Sequence, residues 1–137
     1  MKLSNRIHYA LVPLFIGAII FFATCLWNPS DLPKLPSYFP WDKVVHFVMF
    51  LTLSAASLIY YYKLHNSKPI IWKWIFWGFV VPVVYGGIIE LMQGSIFPGR
   101  SCEMADFVAD MLGSTTAMIF SFYYYRKSKK SKNHLSL

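Results

Sequence analysis

Apolar residues run nearly unbroken through four stretches of the chain, and polar residues gather in the breaks and at the ends of the runs. The first run, Ile7 to Trp27, is about 21 residues long, enough for a helix to cross a hydrocarbon layer of ~30 Å. The second covers Val44 to Tyr62, the third Ile70 to Gln93 and the fourth Met104 to Tyr125. The pattern predicts an all-α fold: one polytopic membrane domain over residues 1–137, with four transmembrane helices in a small bundle (about 7–27, 44–62, 70–93 and 104–125) and a basic tail from 126. A cleaved signal peptide is the alternative for the first run. That run exceeds an apolar signal core of ~7–15 residues, lacks a small-x-small cleavage site and ends in tryptophan, so a retained span is expected.

The breaks carry their own signals. Asn28 to Trp41 holds Pro29, Pro33, Pro36 and Pro40, which remove backbone donors and predict a stiff, non-helical connector. Asp31 and Lys34 leave it near neutral. Lys63 to Pro69 reads as a turn. Pro82 sits inside the third run and frees the carbonyl of Gly78, which predicts a kink. Gly78, Gly86 and Gly87 offer small surfaces for close helix approach, and Gly94 is placed to end the helix. After Pro98-Gly99-Arg100, Ser101 is expected to cap the fourth helix, with Glu103 in its first turn suiting the positive end of the dipole.

Composition sharpens the class. The 137 residues are 56% hydrophobic, 19% aromatic and only 14% charged, too apolar for an ordinary soluble domain. The net charge of +7 comes largely from the two ends and one short loop, a topology signal rather than a nucleic-acid-binding surface. Lys2 and Arg6 precede the first run, Lys63 and Lys68 join the second to the third, and Arg126, Lys127, Lys129, Lys130 and Lys132 follow the fourth. Positive charge retained inside then puts both termini in the cytoplasm, in a multi-pass protein of the cytoplasmic (inner) membrane. Tyr60, Tyr61, Tyr62, Trp72, Trp74, Tyr123, Tyr124 and Tyr125 fall at one interface, and Trp27, Tyr38 and Trp41 at the other. The basic tail reads as an anchor near anionic lipid. Cys25 and Cys102 have no zinc-type spacing; both map towards the outer face, and pairing between them is left open.

This orientation collects polar residues at one level. Asp42, Lys43, His46, Glu90, Gln93, Arg100, Glu103, Asp106 and Asp110 all fall at the outer ends of spans two to four. Asp42 and His46 stand i,i+4, Glu90 and Gln93 i,i+3, and Asp106, Asp110 and Gly113 form one stripe down span four. Asp110 is the most deeply set acid. A charge at a helix centre costs roughly 2.5–3.5 kcal/mol on insertion scales, so these groups are expected to face one another rather than lipid. Five acids against two bases leave an excess of three negative charges, to be met by shared protons, a cation or a cationic ligand group. A network locking the bundle, a binding or catalytic pocket open to the outer surface, and a proton or ion path are the competing readings. His46, Glu90, Asp106 and Asp110 are the catalytic candidates, as proton donors and acceptors. No resident cofactor is implied, although Asp42, His46, Glu90 and Asp106 could together hold a divalent cation. A lone histidine here is expected to bond Asp42. A serine nucleophile is disfavoured, because no Gly-x-Ser-x-Gly elbow is present.

The ordered set Asp42-Lys43-x-x-His46-Phe47-x-x-Phe50, Glu90-x-x-Gln93, Pro98-Gly99-Arg100-Ser101 and Asp106-x-x-x-Asp110-x-x-Gly113 closely resembles the VanZ-like membrane proteins. The resemblance spans residues 42 to 113. It departs at Asp110, where the family pattern usually has asparagine. The family takes its name from a protein associated with teicoplanin resistance, so the resemblance implies an envelope role on the outer side of the membrane without implying a reaction. The expected site comprises Asp42, Lys43, His46, Glu90, Gln93, Arg100, Asp106 and Asp110. Lys43 and Arg100 would engage an anionic group, such as a lipid-linked phosphate, by charge-assisted hydrogen bonds. Membrane lipids and such an envelope ligand are the expected partners, with no nucleic acid. The lipid-phosphate phosphatase stretch Pro-Ser-Gly-His is absent.

Overall fold

A computed structural model describes residues 3–26, 39–66, 68–97 and 100–134. Within them the chain forms four helices and no strand. Most of the proline-rich connector, including Pro29, Asp31, Pro33, Lys34 and Pro36, lies outside the described residues, as do Trp27, Tyr38 and the Pro98-Gly99 pair.

Helix α1 covers Leu3–Phe21, carries Pro13 inside it, and widens into a π-helical turn over Phe22–Leu26. Helix α2 covers Trp41–Leu64 and starts directly after Pro40, whose carbonyl accepts the amide of Val44 at 3.2 Å. It is longer at both ends than its apolar run, which brings Asp42 and Lys43 into its first turn. The following turn is closed by His65 N–H donating to the Tyr61 carbonyl and by Asn66 at φ 50°, a left-handed conformation that asparagine tolerates.

Helix α3 covers Ile71–Ser95. Where a kink is expected, a π-helical turn covers Phe76–Val80, just before Pro82, and Val81 N–H reaches back to the Phe76 carbonyl. Proline cannot donate to the residue four positions earlier, and the widened turn absorbs that break without ending the helix. The helix passes Gly94 and stops at Ser95, two residues later than expected. Helix α4 covers Met104–His134. Its start corrects the expected cap: Ser101 lies outside the helix, and the Glu103 carbonyl accepts the first amides, Asp106 at 3.0 Å and Phe107 at 3.3 Å. The Ser101 hydroxyl donates instead to the Glu103 side chain at 3.2 Å.

Helices α2 and α3 are each long and apolar enough to cross a membrane. Helix α1 offers a shorter apolar stretch, Ala10–Leu26. In α4, Asp106, Asp110, Ser114, Thr115 and Thr116 dilute the hydropathy of an otherwise long helix.

Two apolar clusters hold the bundle. One joins Ile20 and Cys25 of α1 to Phe50 and Leu53 of α2 and Ile89 of α3. The other joins Leu58 and Tyr61 of α2, Trp74 of α3 and Ala117 of α4. Trp74, expected in an interfacial belt, is a core residue. Its indole N–H donates to the Leu58 carbonyl at 2.8 Å, and its ring meets Tyr62, Phe122 and Tyr125. Trp72, Tyr123 and Tyr124 from the same expected belt do face outward.

The α2–α4 seam is the tightest. A Cβ on Gly113 would collide with the Phe47 carbonyl and stand 2.9 Å from the Leu51 amide, so only glycine permits this approach.

Candidate functional site

Helix α2 begins, α3 ends and α4 begins at one end of the bundle, and this convergence assembles the site. Because α2 and α4 touch backbone to backbone near Gly113, the residues one turn away, His46 and Asp110, are brought face to face. His46 Nδ1 stands 3.0 Å from Asp110 Oδ1 and 3.9 Å from Glu90 Oε1. All three side chains are buried, at 4% exposure or less. Gly86 of α3 makes the room: a Cβ there would stand 2.7 Å from Asp110 Oδ2 and 3.0 Å from the Phe50 ring.

This corrects the expected partner of His46. Asp42 lies one turn away on the same helix, yet it is exposed and pairs with Lys43, while the imidazole takes Asp110 from across the bundle. Burial explains the choice, since a buried imidazole gains most from a partner that is also shielded from water.

Lys43 lies across the outer side of the cluster. Its ammonium meets Glu103 Oε2 at 2.5 Å, Asp106 Oδ1 at 2.6 Å and Asp42 Oδ2 at 3.2 Å. Three carboxylates thus share one cation, and Asp106 is the buried member. The Glu103 carboxyl is held below its ordinary pKa of 4.5, first by the hydrogen bond from Lys43 and then by the charge of that ammonium.

Glu90 bridges two helices. Its Oε2 accepts the backbone N–H of Glu103 at 3.0 Å, placing a carboxylate at the start of α4, where helix amides lack intrahelical partners. Its Oε1 has no hydrogen-bond partner among the described residues, and neither has Asp110 Oδ2.

Gln93 and Arg100 serve α1 instead. Gln93 Nε2 donates to the Thr24 carbonyl at 2.7 Å, and an Arg100 terminal nitrogen donates to the Ala23 carbonyl at 3.4 Å. Both acceptors lie in the π-helical turn Phe22–Leu26, where carbonyls run out of helical donors. Cys25 in that turn is buried with a free thiol, and Cys102 is free and exposed.

Of the expected site residues, the structure gathers His46, Glu90 and Asp110 into a buried centre and Asp42, Lys43 and Asp106 into a rim beside it. It sets Gln93 and Arg100 at the junction with α1. Glu103, expected only at the helix dipole, also holds Lys43. Ser54 and Ser114, not among the expected site residues, are fully buried, and their hydroxyls have no hydrogen-bond partner among the described residues. Their spacing carried the signal: Ser114 continues the Asp106–Asp110 stripe at i+4, and Ser54 lies two turns below His46 on the same face. Beside the centre, an apolar slot of about 330 Å³ opens between α3 and α4, lined by Val84, Ile88, Leu91 and Phe107, with Glu90 and Glu103 along its side.

Chemically, the centre offers one imidazole and two carboxylates with spare oxygen atoms. Such a set can share protons, act as acid and base, or ligate a cation. The chain is similar to the uncharacterized protein C11E3.10 of Schizosaccharomyces pombe, 26% identical over 136 residues, a match covering 93% of this chain and 74% of the relative. No family model matches the chain, and no solved structure does.

Proposed function

We propose that the chain is a VanZ-like integral membrane protein of the cell envelope, with four crossings and both termini in the cytoplasm. Its polar cluster then lies near the external surface, where it binds or modifies a lipid-linked or anionic envelope component. The observation that carries this reading is an inverted distribution of polarity. His46, Glu90, Gln93, Asp106, Asp110 and Ser114 are buried, while Leu14, Phe15, Leu91, Ile119 and Phe120 are each at least 60% exposed. Water would not select that arrangement; a hydrocarbon solvent would. The slot beside Glu90 and Glu103 has the apolar walls an acyl chain requires, next to the polar groups a headgroup would meet. Since Lys43 is held by three carboxylates, an anionic headgroup reaches its ammonium only by displacing one of them. The link to teicoplanin susceptibility rests on the resemblance of the motif set.

A structural role is the second reading. It is favoured by Lys43 clamping α2 to α4 and by Gln93 and Arg100 tying the end of α1 to α3 and the α3–α4 connection. The two are separated by His46→Gln and Glu90→Gln in native membranes. A site predicts normal amounts of protein and loss of a lipid that copurifies with the wild type. A structural lock predicts lost abundance and no retained lipid. Incubation of purified protein with an envelope lipid extract, followed by mass spectrometry, distinguishes a converted lipid from one that is merely held.

A further inference from the structure

We propose that His46, Glu90 and Asp110 form a binding site for one divalent transition-metal ion of the zinc or manganese kind. This stands apart from the lipid reading, because the three donors are defined whether or not a lipid binds nearby.

Geometry comes first. His46 Nδ1 is 3.0 Å from Asp110 Oδ1 and 3.9 Å from Glu90 Oε1, and a ligand atom from each residue lies within 4.8 Å of the other two. Donors around a four-coordinate ion with bonds of about 2.0–2.2 Å stand about 3.4 Å apart, so these atoms need only small side-chain rotations to close on an ion.

The second argument is independent of clustering. Glu90 is 3% exposed and Asp110 wholly buried, yet Glu90 Oε1 and Asp110 Oδ2 accept no hydrogen bond among the described residues. Unpaired carboxylate oxygens at such depth are costly, and a cation bound by these two carboxylates offsets that cost. Lys43, the nearby ammonium, is held at Asp42, Glu103 and Asp106. Two carboxylates facing one imidazole match the charge of a divalent ion.

The surroundings are already arranged to hold the donors. The second oxygen of Glu90 is fixed by the Glu103 amide at 3.0 Å. Asp42 and Asp106 bring carboxylate oxygens within 4.8 Å of an imidazole nitrogen of His46, so negative charge surrounds the histidine on its rim side as well. Imidazole with two carboxylates suits zinc or manganese better than calcium, which takes six to eight oxygens, or magnesium, which keeps its waters. The donors come from α2, α3 and α4, so a bound ion would staple three helices, and binding would appear as stability.

The test uses the full chain in detergent without a polyhistidine tag, stripped with a chelator, then exposed to Zn²⁺, Mn²⁺ or Mg²⁺ and freed of excess. Elemental analysis is expected to find about one zinc or manganese per chain, with a melting temperature that rises with ion concentration, and no rise with Mg²⁺. Glu90→Gln and Asp110→Asn are expected to bring metal content to background and abolish the rise. Metal at background in the wild type, retention by both variants, or an equal response to Mg²⁺ would overturn the proposal and leave a proton-sharing network. Should the variants not accumulate, metal content and melting of the wild type with Cys102 alkylated decide between the same two answers.

Discussion

His46 and Asp110 lie 64 residues apart in the chain and meet with Nδ1 and Oδ1 3.0 Å apart, both buried. The contact joins the first turns of α2 to those of α4, and Gly113, one turn below, lets the two backbones come close enough to make it. Removing either partner strands the other away from water. Asp110→Leu is therefore expected to destabilise the protein by about 3–5 kcal/mol. Asp110→Asn keeps an acceptor for the imidazole and is expected to cost much less. Thermal unfolding in detergent, followed by loss of the monodisperse peak, reads the difference; equal losses would show that the hydrogen bond to His46 does not matter.

Gly113 supports that contact by being small. Gly113→Ala puts a methyl group against the Phe47 carbonyl and is expected to cost about 1–3 kcal/mol through forced separation of α2 and α4. Gly87→Ala is the control, since its Cβ would meet only the Phe107 ring, at 3.4 Å and beyond. A Gly113→Ala protein as stable as the control would contradict the seam.

Lys43 neutralises the rim. Its side chain is 28% exposed and its partners range from buried Asp106 to exposed Asp42, so the cluster lies between a surface pair and a buried one. Lys43→Met is expected to cost about 1–3 kcal/mol, and restoring charge balance with Asp106→Asn in the same chain to recover part of it. A double-mutant cycle gives the coupling energy, and a value near zero would remove Lys43 from the network.

The pH dependence of one rim group follows from its position. The Glu103 carboxyl is held below its ordinary value of 4.5, so its stabilising pairing with Lys43 is fully present above that value. It is lost as pH falls through the lowered folded value. The melting temperature of wild type minus that of Glu103→Gln is therefore expected to be positive at pH 7 and to shrink steadily below pH 4.5. Because Glu103 is half exposed, the difference is small. A difference that grows on acidification would reverse the assignment.

The two cysteines report topology without any substitution. Cys102 is free and exposed beside the polar end, whereas Cys25 is free and buried. With the polar end outside, a membrane-impermeant maleimide added to intact cells is expected to label Cys102 and to spare Cys25. Labelling of Cys102 only after the cells are broken would invert the orientation.

The helices and the list of polar residues are legible along the chain. Length and continuity of apolar runs set where helices could form, because backbone groups removed from water must bond within their own segment. The scarcity of charge makes Asp42, Lys43, His46, Glu90, Asp106 and Asp110 conspicuous, and the i+4 spacing puts Asp106 and Asp110 on one face of their helix. Partnership came from the packing of the helices. Spacing favoured Asp42 for His46, but helix approach at Gly113 and the space over Gly86 delivered Asp110 instead. Likewise Gln93 and Arg100 found carbonyls of the π-helical turn in α1, a feature with no local motif to announce it. Local pattern encodes which face of a helix is polar. Which neighbour that face meets depends on how closely the backbones can pack, and that is a property of the whole bundle.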